Sequence, residues 1–321
     1  MASRSDLLRL LIRVVGPILL VVVIWNLDDK TALWRTIESA SWLHLLVAIA
    51  ANLPIVHLKV VRWRNLLAAR GYQYGLGRAY VAVLSSLYLG MVTPGRVGDA
   101  LRVQYAKHDL GAPYPEGLAT TLMDRFCDLY VLGAVVALGA VHFAAALSTD
   151  LAYATWGAVA VALLAPSLFL LRGPAELLMY RLRRLTAKWH ASIDALLKGL
   201  RALVGKTLVL AIMLTVASFA VNYAQGWLVA VALGIELSYV DVAALLATTS
   251  LLGLMPISIS GVGIRELFLA LVFPALGLLA AQGVAFGLLV FVCNHLAIVL
   301  SGFVAWQLAP PPVDGVKTAP A

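Results

Sequence analysis

Arg96, Asp99 and Arg102 stand within seven positions of one another in LGMVTPGRVGDALR, residues 89–102, just after an apolar run that breaks at Thr93-Pro94-Gly95. A second stretch, TTSLLGLMPISISGVGIRE, residues 248–266, breaks at Pro256 and passes Ser260, Gly261 and Gly263 before reaching Arg265 and Glu266. Guanidinium groups are suited to holding phosphate, and neighbouring carboxylates can pair with them or with a cationic group. Gly95, Gly98, Gly261 and Gly263 let the chain approach other atoms closely, and Pro94 and Pro256 end the helices before them. A helix beginning after such a break points unpaired N–H groups outward, where an anion can sit. The chemistry indicated is anion binding. The six histidines show no HExxH spacing, and Cys127 and Cys293 lie singly in apolar segments, so neither a metal nor a cofactor is expected and no catalytic residue is assigned.

Those charges stand in a chain that is 62% hydrophobic and 12% charged, whereas globular domains are roughly half apolar and a quarter charged. The composition reads as an all-α integral membrane protein, a polytopic helical bundle. The net charge of +8 is then expected in basic cytoplasmic loops that meet anionic lipid rather than nucleic acid. The first thirty residues could pass for a signal peptide, but they lack a small-x-small cleavage site and are read as a retained first helix.

Placing the charges requires the spans. With about 20 apolar residues needed to cross, residues 10–27, 41–61, 119–147, 153–171, 207–233 and 282–308 read as six full spans. Arg4, Arg9 and Arg13, the group Lys59, Arg62, Arg64, Arg70 and Arg78, and the basic segment 172–206 should be cytoplasmic, with Asp28-Asp29, Asp150 and Glu236–Asp241 outside. Parity then makes 79–102 a broken segment that enters and returns on the cytoplasmic side. By the same argument 242–281 enters and returns on the outer side. Residues 1–308 form a single transmembrane domain in the plasma (inner) membrane with both termini cytoplasmic, and 309–321 a disordered tail. Segment 175–204, with Leu178, Leu182, Leu185, Trp189, Ile193, Leu196, Leu200 and Leu203 on one face, is either an amphipathic helix on the cytoplasmic leaflet or a helical hairpin packed under the bundle.

The two broken segments correspond. Each starts on a polar pair (Ser85-Ser86; Thr248-Thr249), passes Gly90 or Gly253, breaks at proline, and ends on glycines with an adjoining acid and arginine. With opposite sidedness, that is the pattern of an inverted repeat with discontinuous helices, whose irregular backbone must face protein or a wet cavity. Supporting polar residues lie on the spans. Asp124, Arg125 and Asp128 are either an interfacial cluster or part of a site. Asn222 and Asn294 read first as hydrogen-bond glue between helices, and Arg62 and Arg64 beside Trp63 as an interfacial anchor.

Four stretches, VVRWRNLLAARG, TPGRVGDALRV, MDRFCDLYVL and PISISGVGIRE, make the chain similar to the flippase-like membrane family that includes the N-terminal domain of lysylphosphatidylglycerol synthase, the multiple peptide resistance factor. That family typically has Glu where Asp99 stands. The resemblance implies lipid handling: movement of aminoacylated phosphatidylglycerol between leaflets in the synthase, and of other lipids, including polyprenyl-linked sugars and hopanoids, in stand-alone relatives. The 321 residues leave no room for a soluble aminoacyl-transferase domain. The expectation is therefore a flippase, not an enzyme, for an anionic, aminoacylated or glycosylated phospholipid or a polyprenyl-phosphate-linked lipid. Arg96, Asp99, Arg102, Arg265 and Glu266 would take the headgroup, in the bilayer and with a lipid-modifying enzyme as a candidate partner. The alternatives are a membrane glycosyltransferase using polyprenyl-phosphate sugar at Asp28 and Asp29, or a non-catalytic partner of a lipid enzyme.

Overall fold

The computed structural model describes residues 4–93, 98, 99, 101–143, 149–171, 173, 176, 190–254 and 261–310. Every regular element among them is helical, and the protein is an all-α membrane protein. The helices are α1 (Arg4–Trp25), α2 (Lys30–Glu38), α3 (Trp42–Ala50), α4 (Asn52–Ala68), α5 (Leu76–Val92), α6 (Leu101–Leu110), α7 (Tyr114–His142), α8 (Thr149–Leu170), α9 (His190–Ala202), α10 (Lys206–Ala232), α11 (Tyr239–Leu252), α12 (Ile264–Val272), α13 (Ala280–Val290) and α14 (Ala297–Leu308). A 3-10 turn (Phe273–Leu276) follows α12, and a π turn (Phe291–Leu296) joins α13 to α14.

Four helices among the described residues are long and apolar enough to cross a membrane: Trp42–Ala68, Tyr114–His142, Lys206–Ala232 and Ala280–Leu308. At about 1.5 Å per residue, each exceeds a hydrocarbon core of about 30 Å. The expected spans 10–27 and 153–171 fall on the shorter apolar helices Val15–Trp25 and Thr155–Leu170. Large apolar side chains such as Leu138, Val161, Leu164, Met213 and Leu300 face outward, as lipid contact requires. Trp25, Trp34 and Trp42 are exposed near one end of the bundle, where amphipathic rings favour the membrane–water boundary.

Bonds between elements sort the helix ends into two groups. At one end, Arg70 makes a two-pronged pair with Glu116 (2.7 and 2.8 Å), tying the end of α4 to the start of α7. There too the Tyr105 hydroxyl donates to the Ala309 carbonyl (2.7 Å), and Leu66, Ala119 and Leu200 share an apolar cluster. At the other end, the Ser41 amide donates to the Ala232 carbonyl (2.8 Å) and His142 meets Asp241 (2.9 Å). There Asp241 and Ser238 cap each other to start α11, and the Asp29 side chain accepts from the Ala32 amide to start α2.

Two helical hairpins hang from opposite ends. The Tyr74 hydroxyl donates to Asp109 (2.5 Å), holding the start of α5 beside the finish of α6. At the tip Gly98 lies directly on the backbone of Leu89 and Gly90, and its amide donates to Thr93 Oγ1 (3.1 Å). The α11–α12 hairpin begins at the His142–Asp241 end. Gly253 and Gly261 approach at its tip, with the Cβ position of Gly261 at 3.4 Å from the Gly253 Cα. It returns so that Leu269 lies against Gly283, near the start of α13. No side chain fits at Gly98, whose Cβ position is 2.3 Å from the Leu89 backbone, and at the second tip Gly261 holds a left-handed backbone (φ +72°) that favours glycine. α14 packs on α5, its Gly302 against the Leu84 carbonyl, and α8 packs on α7 at Gly133. α1 crosses the start of α12, where Gly263 (φ +83°) is pressed against Gly16, Leu19 and Leu20.

The described half of segment 175–204, α9, lies against α7 with Leu197 and Leu200 buried. Leu197, Leu200 and Leu203 are covered by protein, while Ile193 and Leu196 are partly exposed. Residues 177–189 lie outside the described residues, as do 311–321 of the expected tail.

Candidate functional site

α7 supplies the centre of the site. Asp124 and Asp128 are one turn apart on it, with Arg125 between. α4 lays Arg62 across both acids: Nε donates to Asp124 Oδ1 and Nη1 to Asp128 Oδ1, each at 2.6 Å, and Nη1 also reaches the Thr215 hydroxyl (2.5 Å). From α6, Arg102 Nη1 donates to Asp124 Oδ2 (2.8 Å), its guanidinium lying 5.6 Å over the Trp63 ring. Arg125 Nη1 donates to Asp128 Oδ2 (3.1 Å), while its Nε stands 3.3 Å from Asp99 Oδ2. Lys59 Nζ is 3.9 Å from Asp128 Oδ2, close enough for attraction but beyond a hydrogen bond.

Arg62 and Trp63 are therefore not an interfacial anchor, and Lys59 and Arg62 are not loop residues. α4 continues through them, and Arg62 and Trp63 are 1% and 0% exposed. The physical reason is pairing: a guanidinium can be taken from water when two carboxylates and a hydroxyl meet its donors. Arg64 turns instead to the Tyr74 carbonyl (2.7 Å).

The opposite hairpin brings a second pair. Arg265 donates to Glu266 Oε1 through Nε (2.9 Å) and Nη2 (2.6 Å), and Glu266 Oε2 accepts from the Gly263 amide (2.7 Å). Glu266 is wholly buried. Arg265 also lies 5.4 Å over the Phe291 ring.

Between the two groups is a cavity of about 250 Å³. Lys59, Arg125 and Asp128 line one side and Arg265 another, with Met91 of α5 and Thr249, Ser250, Gly253 and Gly261 of the second hairpin. Asn222, Gln225, Asn294, Ser218 and His295 add to its polar lining. Gln225 Nε2 donates to the Ala48 carbonyl (2.7 Å) and, less closely, to the Cys293 carbonyl (3.3 Å). Asn294 and Asn222 both donate to Gln225 Oε1, at 2.7 and 3.3 Å. The π turn displaces the Cys293 carbonyl from the regular ladder, and Asn52 Nδ2 also donates to it (2.7 Å). Asn294 thus joins two helices and lines the cavity at once, while Asn222 lines the cavity and bonds within its own helix.

Of the sequence-expected headgroup residues, Arg265 reaches this lining. Asp99, Arg102 and Glu266 stand behind it as buried partners: Asp99 beside Arg125, Arg102 on Asp124, Glu266 on Arg265. Arg125, Asp128, Asn222, Asn294 and Gly261 reach it; Asp124 is enclosed, and Gly98 and Gly263 shape the backbone nearby. Arg96, Pro94, Gly95, Pro256 and Ser260 lie outside the described residues. Lys59 went unrecognised as a site residue, and Gln225 stood out only as a polar interruption of the 207–233 span. Their signal was available as a cation and an amide at helical spacing inside apolar runs, HLKVVRW and NYAQGWL.

The fold and site define a multi-pass membrane protein with an ion-lined chamber between two opposed hairpins. Residues 10–302 match the family described as lysylphosphatidylglycerol synthase TM region, and the chain belongs to that family, whose membrane part is tied to lipid. It is 22% identical over 279 residues to a UPF0104 membrane protein of Methanothermobacter thermautotrophicus, covering 81% of each chain. To a UPF0104 membrane protein of Methanocaldococcus jannaschii it is 20% identical over 292 residues, covering 85% of this chain and 87% of the relative. It is also 33% identical over 107 residues to a protein of Haloferax volcanii named glycosyltransferase AglD; that match takes in 33% of this chain and only 17% of the relative's length.

Proposed function

We propose that the protein is a lipid flippase: it takes the headgroup of an anionic or glycosylated phospholipid, or of a polyprenyl-phosphate-linked lipid, into the chamber while the tails stay in the bilayer. The observation that carries this reading is the cavity lined by charged side chains of α4, α7 and α12, and by the opposed hairpins, within a bundle whose outer surface is apolar. Buried charges in such a setting are costly unless they serve each other or a ligand. Arg125, Asp128 and Arg265 would face the headgroup; Asp99, Asp124, Arg102 and Glu266 would fix those side chains in place. The hairpins would dip into the membrane from opposite faces, the first from the cytoplasmic side, with both termini cytoplasmic in the inner membrane. Rocking of one repeat against the other would move the headgroup across.

The test is reconstitution of purified protein into vesicles carrying fluorescent lipids of several headgroups. Faster equilibration between leaflets than in empty vesicles is expected for at least one anionic lipid, and lost in Arg265→Ala. No acceleration for any lipid class would overturn the reading. A second reading, glycosyl transfer with Asp28 and Asp29 holding a metal or acting as base, draws on the partial similarity to the named glycosyltransferase. Asp29, however, is engaged as the cap of α2: hydrogen bonds from the Thr31 hydroxyl and the Ala32 amide hold its carboxyl below the usual carboxylate range. Loss of function in an Asp28→Asn, Asp29→Asn double variant, with Arg265→Ala tolerated, would favour the enzyme.

A further inference from the structure

The charged groups around the chamber do not cancel. Lys59, Arg62, Arg102 and Arg125 face Asp99, Asp124 and Asp128, four cations to three carboxylates among the described residues. Arg265 and Glu266 neutralise each other. The excess charge is localised by geometry. Arg62 and Arg102 are enclosed and bonded to Asp124, and Arg125 is bonded to Asp128. Asp128 thus already accepts two guanidinium groups, at 2.6 and 3.1 Å, before Lys59 approaches within 3.9 Å. Lys59 lines the chamber, and its ammonium makes no hydrogen bond to another described residue. It is the cation left with all three donors to offer.

Lys59 also marks a boundary. Its Nζ lies 5.7 Å over the Phe219 ring. Phe219 lines the chamber and also a second, almost wholly apolar hollow of about 480 Å³ between α7, α10 and α11, walled by Val131, Leu138, Val216 and Ala243. Val216 and Leu138 are exposed on the outer surface of the bundle. A chamber that carries charged and amide groups and an almost wholly apolar hollow, both lined by Phe219, match the two halves of an amphiphile.

Building on the flippase reading, we propose that Lys59 binds the single phosphate of a lipid at this junction: a headgroup of net charge −1 with uncharged hydroxyls occupies the chamber, and an acyl or prenyl chain occupies the apolar hollow. The amides of Asn222 and Asn294, each of which spends one donor on Gln225, suit the hydroxyls of a polyol or sugar. A headgroup of net positive charge, such as a lysylated one, would add to an uncompensated positive charge in a low-dielectric site and is excluded.

The experiment is binding to the purified protein in detergent by native mass spectrometry and by competition. The probes are phosphatidylglycerol, lysylphosphatidylglycerol, an uncharged glycosyl diacylglycerol, glycerol phosphate and inorganic phosphate. Retention of phosphatidylglycerol well above the cationic and uncharged lipids is expected. Lys59→Met should weaken it about tenfold or more, as loss of a charge-assisted hydrogen bond does, and Lys59→Arg should restore most of it. Lys59→Gln, which keeps a polar group, checks that the loss is one of charge, and unchanged thermal unfolding of each variant excludes misfolding. Val216→Trp, filling the hollow, should weaken the lipid and leave glycerol phosphate unaffected. Equal binding of lysylphosphatidylglycerol, undiminished binding by a folded Lys59→Met protein, or inorganic phosphate competing as well as the lipid would each overturn the proposal. Headgroup-selective binding without any lipid movement in vesicles would instead remove the flippase reading and leave this site standing.

Discussion

Asp124 accepts from two arginines that reach it from different helices, so its charge is shared by α4, α6 and α7. Asp124→Asn would leave Arg62 and Arg102 enclosed without their common partner. Breaking a buried pair in this way costs about 3–5 kcal/mol, and the variant should unfold at markedly lower temperature or denaturant in detergent, whereas Asp28→Asn should not. Gln225→Leu is milder: it strands the Asn294 amide and the Ala48 carbonyl, a loss of about 1–3 kcal/mol measurable in the same assay. The sequence announced which residue types mattered, because arginines and aspartates in apolar runs are conspicuous. It did not show which of them face a ligand. Arg102 and Arg265 look alike in the primary structure, and only packing turns one to Asp124 and the other to the chamber. Arg62 was misjudged because RWR beside a basic loop is the usual pattern of a membrane-surface anchor; its carboxylate partners lie 62 and 66 residues away.

At the level of elements, the tip of the first hairpin is one of the tight places in the fold. A methyl group on Gly98 would strike the Leu89 and Gly90 backbone, and a backbone cannot rotate away. Gly98→Ala should cost about 1–3 kcal/mol through overpacking and part α5 from α6, read as lost stability together with lost lipid movement. Gly77→Ala near the start of α5, where nothing lies within 4 Å, should be harmless. These elements were readable in advance because proline-glycine breaks and short apolar length both point to a helix that turns back. Less visible was the π turn at Phe291–Leu296, since the run through AIVLSGFVAW reads as uninterrupted helix. Its trace was Asn294 and His295 in the middle of an apolar span.

For the whole molecule, the opposed hairpins make a topological prediction. Single cysteines at Arg78 and Lys107, the near ends of α5 and α6, should react with a membrane-impermeant thiol reagent from the same side of sealed vesicles. Cysteines at Tyr239 and Leu279 should react from the other. Reaction of positions 78 and 107 from opposite sides would end the inverted-repeat arrangement. Cys127 and Cys293 are both buried, which keeps the background low. The apolar outer surface was legible because hydropathy acts over whole segments, and four of the six expected spans fall on helices long and apolar enough to cross. α1, by contrast, gave no hint of its neighbours. Its Gly16-to-Leu20 turn lies directly on Gly263, whose amide is bonded to the Glu266 carboxylate. The first helix is thus insulation for the Arg265–Glu266 pair, a wall between a buried ionic bond and hydrocarbon. Trimming the chain back past this turn, as one might trim a leader, would strip that wall and leave the pair facing lipid tails.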